Sequence, residues 1–316
     1  MKNFSEIPVV DLKFCDSITP PTDEDILRSI SQALDAGLVS HGCAYLANHG
    51  VPDEIFQNVF EKSSHFFHLP ASEKNLYQKS GKKFADYGGY YVSSRQQVRE
   101  RYDFMFQTEI VKNKTPELIQ HAFSQYRSHL NTVAGFLFNR IETALDLEKD
   151  SLLNAHRGAL FQDPDVETRA HISSLFYGKL NPDDVEQEPE TLIMDEHTDF
   201  TSITLITTSA PGIQVKGEFD GNWINVSPKS GTIFLHVGDI LERWSGGRYP
   251  ATVHRVKYYE NICGNRQSIP YFLHPDVHAK VEPLIPIAPG WGSYPAITAG
   301  DYWILKMREK QIKLNN

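Results

Sequence analysis

Two periodicities divide the chain. In the N-terminal half, apolar residues recur at helical spacing. Ile26, Ile30, Leu34 and Leu38 predict one helix over residues 24–40 behind the turn Pro20-Pro21-Thr22-Asp23. Ile55, Val59 and Phe66-Phe67 predict a second helix opened by Pro52-Asp53-Glu54, where proline and early acids suit an N-terminus. Leu130, Val133, Leu137, Ile141 and Leu145 predict a long helix over residues 124–147, read as scaffold behind a sheet. Residues 7–12 read as a short buried strand, and a further strand falls within residues 41–50. From Ser174 the pattern becomes short apolar runs: residues 201–207, 213–215, 223–226 and 232–237, with Asp220-Gly221 as a hairpin turn. Residues 258–265 carry turn formers, and Arg266 to Leu273 reads as the returning strand. A basic helix ends the chain. No repeat or linker interrupts the pattern, so a helical N-terminal region (1–120) and a sheet-rich core (121–316) are expected to pack as one body.

Composition narrows the function. A net charge of −9 without a basic run argues against a nucleic-acid partner. Cys15, Cys43 and Cys263 are too scattered for a disulfide framework or a structural zinc site. The first residues lack the apolar core of a signal peptide, and no apolar run reaches membrane-spanning length. A cytoplasmic protein without a membrane partner is the expectation; the oligomeric state is left open.

The candidate chemistry lies in Asp195-Glu196-His197-Thr198-Asp199-Phe200. On a strand, residues i and i+2 share a face, so His197 and Asp199 can converge on one ion. His254, 55 residues beyond Asp199, can supply a third ligand from a neighbouring strand. Two histidines and a carboxylate on one face of an iron leave the other face open, as in non-haem Fe(II) oxygenases. With 13 His in the chain, about one His-x-Asp arises by chance, and there is a second: His274-Pro275-Asp276. Its proline suits a strand end, and His278 is too near to come from another strand. Arg266 and Ser268 share a face and offer a charged fork and a hydroxyl to a carboxylate. His49 reads as a turn residue, His65 and His68 as helix-surface residues, and His236 as a core histidine. Residues 81–102, rich in tyrosine, glycine and arginine, are divided evenly between a packed connector and a substrate-pocket border.

His197-Thr198-Asp199, His254-Arg255-Val256 and Arg266-Gln267-Ser268 resemble the motifs of the Fe(II)/2-oxoglutarate-dependent dioxygenases, in the branch that contains isopenicillin N synthase. The connection Gly238-Asp239-Ile240-Leu241-Glu242 and the segment around Asn48-His49-Gly50 are similar to that family too. The resemblance implies a mainly β fold with flanking helices around a double-stranded β-helix, or jelly roll. It implies Fe(II) on His197, Asp199 and His254, with 2-oxoglutarate as co-substrate held by Arg266 and Ser268. O2 would be consumed, succinate and CO2 released, and a small molecule oxidised by hydroxylation, desaturation or ring formation. Tyr177 stands where the family's Asn-x-Tyr-Pro has its tyrosine and would contact co-substrate or substrate, although the asparagine and proline are missing. Isopenicillin N synthase also has an Arg-x-Ser, which there holds a substrate carboxylate. A 2-oxoglutarate-independent iron oxidase therefore stays open, as does a non-catalytic binding protein on the same scaffold.

Overall fold

A computed structural model describes residues 6–14, 18–79, 88–92, 99–105, 115–178, 192–217, 221–257 and 266–315. Cys15, Cys263, Asp220 and the turn at 258–265 lie outside them.

Helices follow the predicted periodicity. Glu24–His41 begins where the Asp23 carboxylate accepts the N–H groups of Asp25 and Ile26, and ends at Gly42 (φ 63°), whose N–H donates to the Leu38 carbonyl. Asp53–Phe67 begins after Pro52, and His65 and His68 are exposed at its end as expected. The long helix spans Glu117–Leu145, starting seven residues earlier than its apolar stripe suggested. Pro116 precedes its first turn, a position where a missing N–H costs nothing. The C-terminal helix is Ala299–Asn315.

Fourteen strands are described. They are β1 (Val9–Asp11), β2 (Cys43–Ala47), β3 (Gly89–Val92), β4 (Arg99–Met105), β5 (His171–Tyr177), β6 (Leu192–His197) and β7 (Ile203–Thr208). There follow β8 (Ile213–Lys216), β9 (Trp223–Val226), β10 (Thr232–Val237), β11 (His254–Lys257), β12 (Arg266–Leu273), β13 (Lys280–Val281) and β14 (Ile297–Thr298). An eight-stranded sheet has the order β1-β2-β10-β7-β12-β5-β4-β3, and a four-stranded sheet the order β6-β11-β8-β9. This is the expected jelly roll with helices on its flank. Strands from the N-terminal region extend the large sheet at both edges. The unassigned 81–102 stretch thus contributes β3 and the start of β4.

Packing splits each central strand by parity. Ile203, Leu205, Ile233, Leu235, Ile172, Phe176, Ile269, Tyr271 and Leu273 join the helices in the larger core. Ile206, Phe234, Leu175 and Tyr177 meet Ile213, Val215, Val226 and Val256 of the smaller sheet in a second core, inside the roll. Because both faces are buried, the sequence reads as continuous apolar runs in which the inward set is not visible. Parity assigns Arg266, Ser268 and Phe272 of β12, Thr204 of β7 and His236 of β10 to the inner face. Pro270 sits in the middle of β12. Pairing with β5 is interrupted around it, and the Tyr126 hydroxyl from the long helix donates to the Ile269 carbonyl.

Candidate metal centre and buried anion pocket

The three predicted metal-site residues come together, His197 and His254 from the four-stranded sheet and Asp199 from the connection between β6 and β7. His254 of β11 pairs directly with His197 of β6, so their side chains lie side by side with ring centroids 4.2 Å apart. Asp199 arrives differently from the expectation. Strand β6 stops at His197, and Asp199 lies in the bend that carries the chain across to β7. Convergence therefore comes from a pinned turn rather than from strand alternation. The Asp199 carbonyl accepts the Asp239 N–H at 2.8 Å, the Ser202 carbonyl accepts the Gly238 N–H at 3.0 Å, and the Thr204 hydroxyl donates to Asp199 Oδ2 at 2.7 Å.

Asp199 Oδ1 faces His197 Nε2 at 3.8 Å and His254 Nε2 at 3.9 Å. One donor atom from each residue falls within 4.8 Å of the others, and among the described residues this is the one such group found. The tautomers follow from the backbone. His197 Nδ1 is 2.8 Å from the Asp195 carbonyl and His254 Nδ1 is 3.0 Å from the Thr252 carbonyl. A carbonyl can only accept, so each Nδ1 carries the proton and each Nε2 presents a lone pair to the shared space. Burial would raise the Asp199 pKa, but His254, His236 and His197 together with the Thr204 hydroxyl hold it well below the usual carboxylate range. Two imidazole lone pairs and one ionised carboxylate are a donor set that fits Fe(II).

The second predicted group lies on the same inner face. Arg266 and Ser268 are buried in β12, 2% and 3% exposed. Arg266 Nε donates to the Pro211 carbonyl at 2.9 Å, and its guanidinium lies over the Tyr177 ring at 4.6 Å. Nη1 and Nη2 are buried without a hydrogen-bond partner. A guanidinium left so far unsatisfied is costly unless an anion meets it. Burial pushes its pKa down, partly offset by Tyr177. The residues present fit a carboxylate ligand.

The alternative His274-Pro275-Asp276 is structural. Asp276 accepts the N–H groups of Arg157 and Gly158 at 2.9 Å each, capping the short helix Arg157–Leu160. His274 is buried and stacked near His171. His49, expected at a turn, is also buried, and its Nδ1 accepts the Val51 N–H. Sequence reasoning did not find two neighbours of Asp199. Thr204 carries no motif. His236 was expected in the core and is there, 0% exposed, but it stands against Asp199. The available signal was a single titratable residue in the apolar run 232–237, two positions from Phe234.

A jelly roll that gathers two histidines of its smaller sheet and a carboxylate of the connection beyond it defines the non-haem iron oxygenase class. Residues 7–127 match the family profile described as non-haem dioxygenase in morphine synthesis N-terminal, and residues 170–275 match the 2OG-Fe(II) oxygenase superfamily. The chain belongs to the 2OG-Fe(II) oxygenase superfamily, whose enzymes use Fe(II), 2-oxoglutarate and O2. A UPF0676 protein of Schizosaccharomyces pombe is 26% identical over 314 residues, 95% of this chain and 90% of its own length. Flavonol synthase/flavanone 3-hydroxylase of Eustoma exaltatum subsp. russellianum is 27% identical over 290 residues, 88% of this chain and 79% of its own. Among solved structures, a full-length Neurospora crassa protein in complex with alpha-KG and 5-formyluracil aligns with TM-score 0.79 over 97% of both chains at 22% identity, a likeness of fold. No helix among the described residues is long and apolar enough to cross a membrane.

Proposed function

We propose that His197, Asp199 and His254 hold the Fe(II) of this oxygenase, and that Arg266 and Ser268, with Tyr177 beneath the guanidinium, hold the distal carboxylate of 2-oxoglutarate. The observation that carries this reading is the Arg266 fork. Its two terminal nitrogens are buried and unpartnered, on the inner face of the sheet whose neighbouring strand β7 anchors Asp199 through Thr204. A dicarboxylate reaching between these two places would satisfy both. The substrate is a small molecule that enters the same roll, a reading supported by the alpha-KG and 5-formyluracil named for the Neurospora crassa structure.

When bound, the iron with 2-oxoglutarate supplies the oxidising chemistry that acts on substrate carbon. The chain's own residues position and seal. Asp195 and Thr252 carbonyls fix the two imidazoles, Thr204 fixes the carboxylate, and Arg266 orients the co-substrate through a bidentate contact that a point charge could not reproduce. Ile206, Phe234 and Leu175 keep the space between them apolar, which excludes water and strengthens the charged contacts. The test is O2 consumption and succinate release on mixing the protein with Fe(II) and 2-oxoglutarate. Turnover that proceeds equally without 2-oxoglutarate would refute the assignment of Arg266.

A further inference from the structure

The bend that carries Asp199 is held from outside the roll. Three successive N–H groups at the start of the short helix Asp239–Trp244 grip it. Gly238 donates to the Ser202 carbonyl at 3.0 Å, Asp239 to that of Asp199 at 2.8 Å, and Ile240 to that of Thr201 at 3.0 Å. The approach is so close that a Cβ on Gly238 would stand 2.3 Å from the Thr201 carbonyl oxygen. The Asp199 carboxylate therefore stands where the first turn of this helix puts it. That turn is in turn fastened to the C-terminal helix Ala299–Asn315.

Asp239 is buried, and its Oδ2 accepts the Tyr302 hydroxyl at 2.8 Å and faces Lys306 Nζ at 3.2 Å. Tyr302 and Lys306 are four residues apart, on one face of the C-terminal helix. Lys306 Nζ also lies 5.6 Å from the ring of Phe200, the residue after Asp199, and 5.5 Å from the Tyr302 ring. Both distances are within cation–π range. One ammonium thus reaches both sides of the contact between Asp199 and Asp239. An exposed ion pair would hold little, but the Asp239 side chain is 9% accessible and that of Lys306 26%. The other acid near Lys306, Glu309, is 3.9 Å away and more exposed. Burial, then Asp239, push the Tyr302 pKa up, so its hydroxyl stays a donor. The helix is seated separately at its start, where the Ala299 and Gly300 N–H groups donate to the Ala279 and Val277 carbonyls at 2.9 Å each. A change at Lys306 leaves those contacts in place.

We propose that Lys306 is a positioning residue for the metal centre: through Asp239 and Phe200, the C-terminal helix sets the place of the Asp199 carboxylate. This rests on the reading of Asp199 as an iron ligand. The direction of the effect separates position from charge. Lys306 is a cation beside the bend that carries Asp199. Acting through charge alone it would repel Fe(II), and its removal would tighten binding. Acting through position, its removal frees the Asp239 carboxylate to turn away, loosens the bend and weakens binding.

The experiment is chelator competition for Fe(II) under anaerobic conditions, with thermal melting of each metal-free variant beside it. Lys306→Met, which keeps the length of the side chain and removes its charge, is expected to bind Fe(II) about tenfold more weakly, the low end for losing a support behind a ligand. Tyr302→Phe, which removes only the hydroxyl, should show a smaller loss in the same direction. Should the methionine variant not fold, Tyr302→Phe decides in its place. Lys306→Arg should keep most of the affinity, since either cation can meet one carboxylate oxygen and lie over a ring. Arg308→Gln takes the same charge from an exposed position of the same helix and should not weaken binding. Unchanged or tighter Fe(II) binding in Lys306→Met would overturn the proposal. So would an equal weakening in Arg308→Gln, or a lower melting temperature without loss of affinity. Asp199→Ala is read separately: if it binds Fe(II) as tightly as wild type, the metal-site reading fails and the proposal with it.

Discussion

His236 Nε2 stands 3.4 Å from Asp199 Oδ2, while the other oxygen of that carboxylate faces His197 and His254. The two oxygens are thus divided between a ligand side and an anchoring side. His236 is wholly buried, its ring 4.6 Å from that of His254, and Nε2 makes no aligned hydrogen bond to any other group. Burial, then the neighbouring His254, lowers its pKa to about 4, against the pull of Asp199. The His236 Nδ1 lies 3.4 Å from the Val237 carbonyl, so the neutral ring supports the carboxylate by packing behind it, without competing for the metal.

Removing that support should loosen the metal. His236→Ala is expected to weaken Fe(II) binding about tenfold to a hundredfold, the usual effect of losing a group that orients a ligand. His236→Gln, which keeps most of the side-chain volume behind the carboxylate, should recover part of it. Chelator competition reads both. An unchanged affinity in His236→Ala would mean that Thr204 alone suffices.

The two His-x-Asp pairs should separate cleanly. His197→Ala, Asp199→Ala and His254→Ala should each weaken Fe(II) binding severely and abolish turnover. Asp276→Ala should leave metal affinity intact and lower stability by about 1–3 kcal/mol, since it strands the buried N–H groups of Arg157 and Gly158. Thermal melting beside metal titration distinguishes the outcomes. Loss of iron in the Asp276 variant with retention in His197→Ala would reverse the assignment.

Gly212 guards the anion pocket. Its φ is +145°, and a Cβ placed there would stand 2.9 Å from Arg266 Nε and 3.3 Å from Cζ. Gly212→Ala must displace the guanidinium or the turn that holds it. Affinity for 2-oxoglutarate should fall about tenfold or more, the weight of a disturbed charged hydrogen bond, with Fe(II) affinity unchanged. Equal affinity for 2-oxoglutarate in the variant and wild type would show that the fork is not positioned from Gly212.

Stability should fall in mild acid. His49, His156 and His171 are held neutral by burial, each with its pKa lowered to about 4. Between about 6.5 and 4 the unfolded chain binds protons that the folded chain refuses, so stability is full above 6.5 and declines as pH falls toward 4. Asp276, raised to about 6 by burial, acts in the opposite sense, one group against these three and the likewise lowered His236 and His274. Urea unfolding of the metal-free protein at pH 7.5 and 5.0, followed by tryptophan fluorescence, should give the lower midpoint at pH 5.0. Equal midpoints would contradict the neutral burial of these rings.

Much of this was legible in the sequence because helices announce themselves through a one-sided stripe. Ile30, Leu34 and Leu38 are buried at their predicted spacing. The predicted metal-site residues and Arg266 were legible for a different reason, since charged groups inside apolar runs have few structural uses. What escaped was whatever depends on parity or on a turn. β7 and β10 are buried on both faces, so nothing in the order of residues told that Thr204 and His236 look toward Asp199 while Leu205 and Leu235 look toward the helices. Asp199 reached the cluster from a bend tied to Asp239, a contact across 40 positions that no local pattern encodes.

The most direct test of the account is titration of the anaerobic Fe(II) protein with 2-oxoglutarate, following the visible charge-transfer absorption that keto-acid chelation produces. Wild type should develop the band. Arg266→Ala should require roughly two to four orders of magnitude more 2-oxoglutarate, since losing the partner of a buried charge costs about 3–5 kcal/mol. Its Fe(II) affinity should stay near wild type, and Arg266→Lys should recover only part of the loss. A wild-type protein that shows no band and consumes O2 without 2-oxoglutarate would contradict the account, and would assign Arg266 to the substrate of a self-sufficient oxidase.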